Sequence, residues 1–367
     1  MKIPRPLRII IGALLLCSSL TAQDIHNSLF NMSPLSLNPA LTGAFEGTAR
    51  IGGIYRAQDF GITDARGYYS PSFYIDAPVI QGFRKQDWIG AGFMVYSDNA
   101  GSLRLKTNIS GLSGSYHFAV DKKGQTVLTL GVQWGSTTRK YEYGSGIFSD
   151  TFDEGLGGLG NPTTTDPLGI QTGGGMNPND NDENQTSYSD INAGLMLRST
   201  VNDRTRFEIG VATGHITTPN YSFSGGGGGT GNPNPPPSSG QGRDRPMKIV
   251  AHGRLLTQLT DLLSFEPTFL FQTTAGQTEI GVQAWGGYRI NPDVKANFGL
   301  GYRVGDAGKV LLGMDYKDLR AALSYDITLS DRHRINDYNG AFEIAAYYII
   351  KVYKKPNVKP AIFCPQF

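Results

Sequence analysis

A transmembrane antiparallel β-barrel of about 14 strands is the fold this sequence predicts. Three features predict it. The chain opens with an export signal, its middle is built of short segments of alternating polarity, and the connections between those segments are alternately short and long.

The signal is MKIPRPLRIIIGALLLCSSLTAQ. Lys2, Arg5 and Arg8 precede the apolar run Ile9 to Leu16, and Ala22 ends a stretch of small residues. That is the layout of a secretory signal peptide, too short to span a bilayer as a helix. Cys17 is preceded by Leu16 where a lipoprotein site needs a small residue, so residues 1–22 read as a cleaved signal. Its removal takes three of the 33 basic residues and none of the 31 acidic ones, leaving 30 against 31. A chain this close to neutral carries no footprint for nucleic acid. Of the two cysteines only Cys364 remains, which excludes an intrachain disulfide. Beyond the signal no apolar run is long enough for a transmembrane helix. With 48 glycines, 18 tyrosines and 18 phenylalanines, the composition favours strands and turns.

The strand pattern runs from residue 48 to residue 352. In YYSPSFYIDA, Tyr69, Pro71, Phe73, Ile75 and Ala77 alternate with Ser70, Ser72, Tyr74 and Asp76. In TVLTLGVQWG, Leu128, Leu130, Val132 and Trp134 oppose Thr129, Gly131, Gln133 and Gly135. VKANFGLGYR shows the same period from Val294 to Arg303. Period 2 gives one apolar and one polar face. A soluble sandwich has this too, with the apolar face inward. Here the polar face repeatedly carries glycine or full charges, among them Arg50, Arg198, Glu208, Arg303, Asp326 and Glu343. The apolar face often starts or ends in Tyr, Trp or Phe, as an interfacial girdle does. Both favour an inside-out barrel. Leu103 to Val120 changes phase, and a bulge near Gly111 is the expected cause.

The connections agree. Short turns such as DKKG, NPD and KDL fall on one side. On the other lie two long loops, Gly144 to Ser187 and Asn220 to Pro246, the latter containing SGGGGGTGNPNPPPSSGQG. With a periplasmic N-terminus the long loops are extracellular, and an even strand count returns the C-terminus to the periplasm. About fourteen strands enclose more space than inward side chains fill, so the lumen is either a channel or plugged.

Enzyme chemistry finds little support. His26, His117, His215, His252 and His333 are scattered, with no metal-ligand spacing and no GxSxG elbow. GLGGLG, Gly155 to Gly160, fits a dinucleotide fingerprint only on paper, having no strand before it and no helix after it. Asp180, Asp182 and Asn184 supply the oxygens of a weak calcium-loop candidate, but Gln185 stands where the sharp turn needs Gly. A solvated loop is the better reading, and no cofactor is expected.

The ends of the chain are the most specific part. Pro34, Leu35, Asn38, Pro39, Ala40, Thr42 and Gly43, the pair Tyr55 and Arg56, and the closing Cys364, Pro365 and Phe367 resemble the PorP/SprF family of the type IX secretion system of Bacteroidetes. LSYDITLSD and YNGAFEIAAYY, at Leu323 to Asp331 and Tyr338 to Tyr348, are similar as well. The chain departs from the family where Phe60 replaces a common Trp and Gln366 a common Arg. The resemblance implies a non-enzymatic outer-membrane protein of secretion or gliding motility. Its expected partners are a secreted cargo or surface adhesin, components of the secretion machinery, and outer-membrane lipid. Pro34, Asn38, Pro39, Ala40, Thr42, Gly43, Tyr55, Arg56, Cys364, Pro365 and Phe367 are then the candidate motif or partner-contact residues. An outer-membrane porin or small-molecule transporter is the alternative.

The expected organisation is a signal at 1–22, a periplasmic N-terminal segment and possible plug at 23–47, the barrel at 48–352, and a periplasmic tail at 353–367. The segment FNMSPLSLNPALTG, Phe30 to Gly43, has two prolines that push Ser33 and Asn38 toward extended backbone. Leu35, Leu37 and Leu41 give it something to bury. It reads either as a lead-in packed at the barrel mouth or as a plug or docking strap.

Overall fold

The computed structural model describes residues 27–58, 68–81, 86–100, 105–140, 185–221, 244–331 and 336–352. They form fourteen antiparallel strands: β1 (Ala49–Gln58), β2 (Tyr68–Gln81), β3 (Trp88–Ala100), β4 (Leu105–Ala119), β5 (Thr126–Lys140), β6 (Gln185–Asn202), β7 (Thr205–Gly214), β8 (Lys248–Gln258), β9 (Leu263–Thr274), β10 (Gln277–Asn291), β11 (Val294–Arg303), β12 (Ala307–Tyr316), β13 (Leu319–Thr328) and β14 (Asn339–Ile350). Each strand pairs with its sequence neighbours, and β1 closes on β14 from Ala49↔Ile350 to Gln58↔Ala341. Closure leaves no edge strand, so every strand has a hydrogen-bonded neighbour on both sides, as hydrocarbon requires. No helix among the described residues is long and apolar enough to cross a membrane.

Alternation places the predicted faces as read. Leu130, Val132 and Trp134 are exposed on the outer wall while Thr129 and Gln133 are buried inside. On β5 the outward apolar residues run from Leu128 to Trp134, after which Ser136, Thr138 and Lys140 follow on the same face. On β6 the matching outward band runs from Ile191 to Leu197. An apolar band bounded by an aromatic and then by polar residues is the profile of a strand that leaves the bilayer.

The phase change expected in β4 is absent. Its pairing with β3 and β5 runs without a register shift, so there is no bulge at Gly111. The pattern looks broken because Ile109 points into the lumen, where it packs against the cluster of Leu35, Tyr74, Met94 and Tyr96. The register shifts that do occur lie at 78–80, 200–202, 289–291 and 325–327.

The chain enters β1 and leaves β14 at one end of the barrel, the terminal end. All connections there are short, including 203–204, 292–293 and 317–318. The opposite, loop end carries the connections β5–β6 and β7–β8, most of which lies outside the described residues. It also carries tight hairpins such as Ala275–Gly276, both at positive φ (51° and 78°), the primed-turn geometry of two-residue hairpins.

The inside and outside faces should respond differently to charge. Val132→Arg, on the lipid face, should cost about 2–4 kcal/mol in unfolding from lipid vesicles. Lys122→Ala, in a terminal-end turn, should stay within about 0.5 kcal/mol. Equal effects would contradict the assigned faces.

Candidate functional site

The lumen is occupied by the chain's own N-terminal segment. Residues 27–44 run through the barrel as a strap of three short turns: Phe30–Met32 and Pro39–Leu41, both 3-10, and the single-turn helix α1, Pro34–Leu37. The expectation for 23–47 is a periplasmic segment, packed at the mouth or acting as a plug. In the structure the strap begins deep in the loop-end half, beside Asp326 and Arg303, and descends to the terminal end before β1. Its prolines explain the broken helicity, since Pro34 and Pro39 each start a turn and bar the previous one from continuing.

Four apolar clusters tie strap to wall. Leu29 and Met32 join Ile54, Trp285 and Leu311, whereas Phe30 and Leu37 join Ala212, Val250 and Leu270. Leu35 packs with Tyr74 and Met94, and Ala40 and Ala44 with Met196. The wall residues are those that break the polar-inside rule.

The upper anchor is at Ser28. Glu343 Oε1 and Oε2 accept the backbone N–H groups of Ser28 and Leu29, both at 2.7 Å. Ser28 Oγ donates to Asp326 at 2.7 Å and accepts from Arg303 Nη2 at 2.9 Å. Gln283 donates to the Ser28 carbonyl. Arg56 pairs with Glu343, and Arg303 Nη2 lies 3.0 Å from Asp326. Glu343 is fully buried. Removing one member of such a network leaves an uncompensated charge.

The middle anchor is Asn38. Its Oδ1 accepts from Ala40 N at 2.9 Å, capping the following turn and fixing the orientation of the amide. Its two Nδ2 protons are shared among three acceptors, the carbonyls of Leu195 and Val211, both 3.3 Å, and His252 Nε2 at 3.0 Å. His252 is thereby read as the tautomer carrying its proton on Nδ1. A Cβ at Gly194 would collide with Asn38 Oδ1, and one at Gly131 with the backbone of Pro39 and Ala40. These wall glycines let the strap lie directly on the strands.

The lower anchor is Thr42–Gly43. The Thr42 carbonyl accepts from Ser115 Oγ at 2.6 Å and from His117 Nε2 at 2.8 Å, while Thr129 Oγ1 lies 2.9 Å from His117 Nδ1. His117 stacks on Trp88 with centroids 4.4 Å apart. Gly43 N donates to Asp76 at 2.7 Å, and Arg50 holds both oxygens of Asp76 at 2.9 and 2.7 Å. Gly43 has φ +65°, and a Cβ there would lie 2.8 Å from Gly90 Cα. No other residue fits both demands.

The strap separates two cavities that share Leu37. One, of about 80 Å³, lies on the loop side near the Asp190–His215 pair, and the other, about 410 Å³, opens among terminal-end residues such as Lys317 and Asp318.

Of the motif residues, Pro34, Asn38, Pro39, Ala40, Thr42 and Gly43 are thus together on the strap and buried within their own barrel. Tyr55 and Arg56 part company: Tyr55 is 44% exposed on the lipid face, and Arg56 points into the Glu343 network. Cys364, Pro365 and Phe367, and the calcium candidates Asp180, Asp182 and Asn184, lie outside the described residues. Catalytic or metal-ligand spacing does not reveal His117 and His252 as strap partners. Their inward parity on β4 and β8 was the available signal.

These features define a plugged β-barrel of the outer-membrane type. Residues 19–348 match the family described as type IX secretion system membrane protein PorP/SprF, and the chain belongs to that family. It is an outer-membrane barrel of type IX secretion, and family and fold are those of a membrane secretion component rather than of a known enzyme class. No curated protein matches the chain. Solved structures similar to it include a Pseudomonas aeruginosa FadL homologue, 14% identical over 85% of this chain and 92% of that one, with a TM-score of 0.45. Others are the CymD monoaromatic hydrocarbon channel (10%, 88% and 94%, TM-score 0.48) and a deletion mutant of the TodX monoaromatic hydrocarbon channel (11%, 86% and 93%, TM-score 0.49).

Asn38→Ala should loosen the strap by about 1–3 kcal/mol, because it strips a cap and leaves buried groups unpaired. Amide exchange at residues 35–43 should quicken while that of β10–β13 stays slow. Gly194→Leu should do the same by steric exclusion. Unchanged exchange in both variants would mean that the strap is held elsewhere.

Proposed function

We propose that this barrel serves type IX secretion as a closed, non-enzymatic platform that supports export or cell-surface anchoring of a secreted partner, an adhesin or a sorting-domain protein. The observation that carries this reading is the strap itself. A lumen crossed by residues 27–44, hydrogen-bonded at three levels, presents surfaces instead of a free path. In this reading the termini and short turns face the periplasm, where they meet the secretion machinery, and the loops 144–187 and 220–246 face outward toward the partner. The strap motif acts indirectly, by setting the shape of the barrel that the partner meets.

A porin or small-molecule transporter is the alternative, and it requires the strap to leave the lumen. Conductance separates the two. The purified protein should be electrically silent in a planar bilayer, and deletion of residues 27–44 should produce stepwise currents. Sustained currents from the intact protein would favour the transporter. In cells, replacing Asn38-Pro39-Ala40 with Gly-Ser-Gly should leave the barrel assembled in the outer membrane yet lower the surface level of the partner. Normal surface display in that variant would count against a role for the strap in anchoring.

A further inference from the structure

We propose that the terminal-end cavity is a binding site for a carboxylate carried on an apolar body, with Arg206 taking the carboxylate. This does not depend on the anchoring reading. The cavity, about 410 Å³, is within the size range of small-ligand sites. It is bordered by the turn residues Lys317 and Asp318, so it is entered from the terminal end.

Its walls are of two kinds. Phe30, Leu37 and Leu41 of the strap and Leu256 of β8 form the apolar side. The other side carries arginines gathered on one carboxylate. Arg198 Nε lies 2.9 Å from Glu208 Oε1, and Arg254 Nη2 lies 2.7 Å from Glu208 Oε2. Each oxygen of Glu208 is therefore already held by its own guanidinium. Arg206 sits two residues before Glu208 on β7, on the same inner face. Among the described residues no carboxylate is within ion-pair distance of it, and its Nε is buried without a hydrogen-bond partner. Its register partner on β8 is Leu256.

A guanidinium without an ion-pair partner, beside an apolar wall, matches a monoanion with a hydrophobic body. The planar fork of Arg suits a carboxylate in particular. Two sources carry that chemistry, the C-terminal end of a peptide chain and a fatty acid.

The test uses the full chain in lipid nanodiscs and isothermal titration. One pair of probes is a capped Leu-Ala-Phe peptide with a free C-terminal carboxylate and the same peptide as its amide. The other pair is decanoate and decanol. At least one acid should bind saturably, and its neutral counterpart about tenfold or more weaker, the size of a charge-assisted hydrogen bond. Arg206→Gln should lose the same factor, Arg206→Lys should recover part of it, and Leu256→Gln should weaken binding from the apolar side. Binding of the peptide acid alone assigns a chain end, and binding of decanoate alone assigns a lipid-type ligand. Equal binding of acid and neutral probes, absence of binding by both acids, or wild-type affinity in Arg206→Gln would overturn the proposal. The acid-to-neutral comparison on the unmodified protein decides the matter even if a variant fails to assemble.

Discussion

Closure of fourteen strands is the constraint from which the rest of the structure follows. It gives every strand a hydrogen-bonded neighbour on both sides, and it fixes a lumen too wide for inward side chains to fill. Something must occupy that volume or water will. Here the chain's own residues 27–44 do so, and the inner wall is shaped to them: glycine where the backbone touches, apolar where leucines land, and charged where its amides need acceptors.

A strap without regular secondary structure carries polar backbone groups into a water-poor space, where each unpaired one costs free energy. The wall answers with side chains rather than with a ladder. Glu343 takes two amides, Gln283 donates to the Ser28 carbonyl, and Ser115 and His117 share the Thr42 carbonyl. Buried ionic networks contribute little net stability compared with apolar packing, but breaking them is expensive. The arrangement thus favours one register of the strap over all others.

Much of the fold was legible because alternation in a barrel wall is a local property. Each residue from Leu128 to Gly135 declares its face through its neighbours, and β5 follows that reading without exception. The errors share one cause. Ile109 in β4 looked like a phase slip, yet it is an inward apolar residue covered by Leu35. Trp285, Leu311 and Met196 break the rule for the same reason. An apolar residue on the polar face is uninformative in one dimension and becomes meaningful only when the strap lies above it. The two strap histidines were equally silent, since neither has a local partner that would mark it.

The sequence by itself determined the barrel, its strand number, the parity of its loops and the family, because these rest on short-range period and on motif residues a few positions apart. It also marked Phe30 to Gly43 as a segment with something to bury. Only the tertiary structure decided where that segment goes, which wall residues receive it, and that Tyr55 and Arg56 serve opposite sides of one strand. Those contacts join positions as distant as Ser28 and Glu343, 315 residues apart. No local pattern encodes such a pairing, and only the closed circle of strands brings the two together.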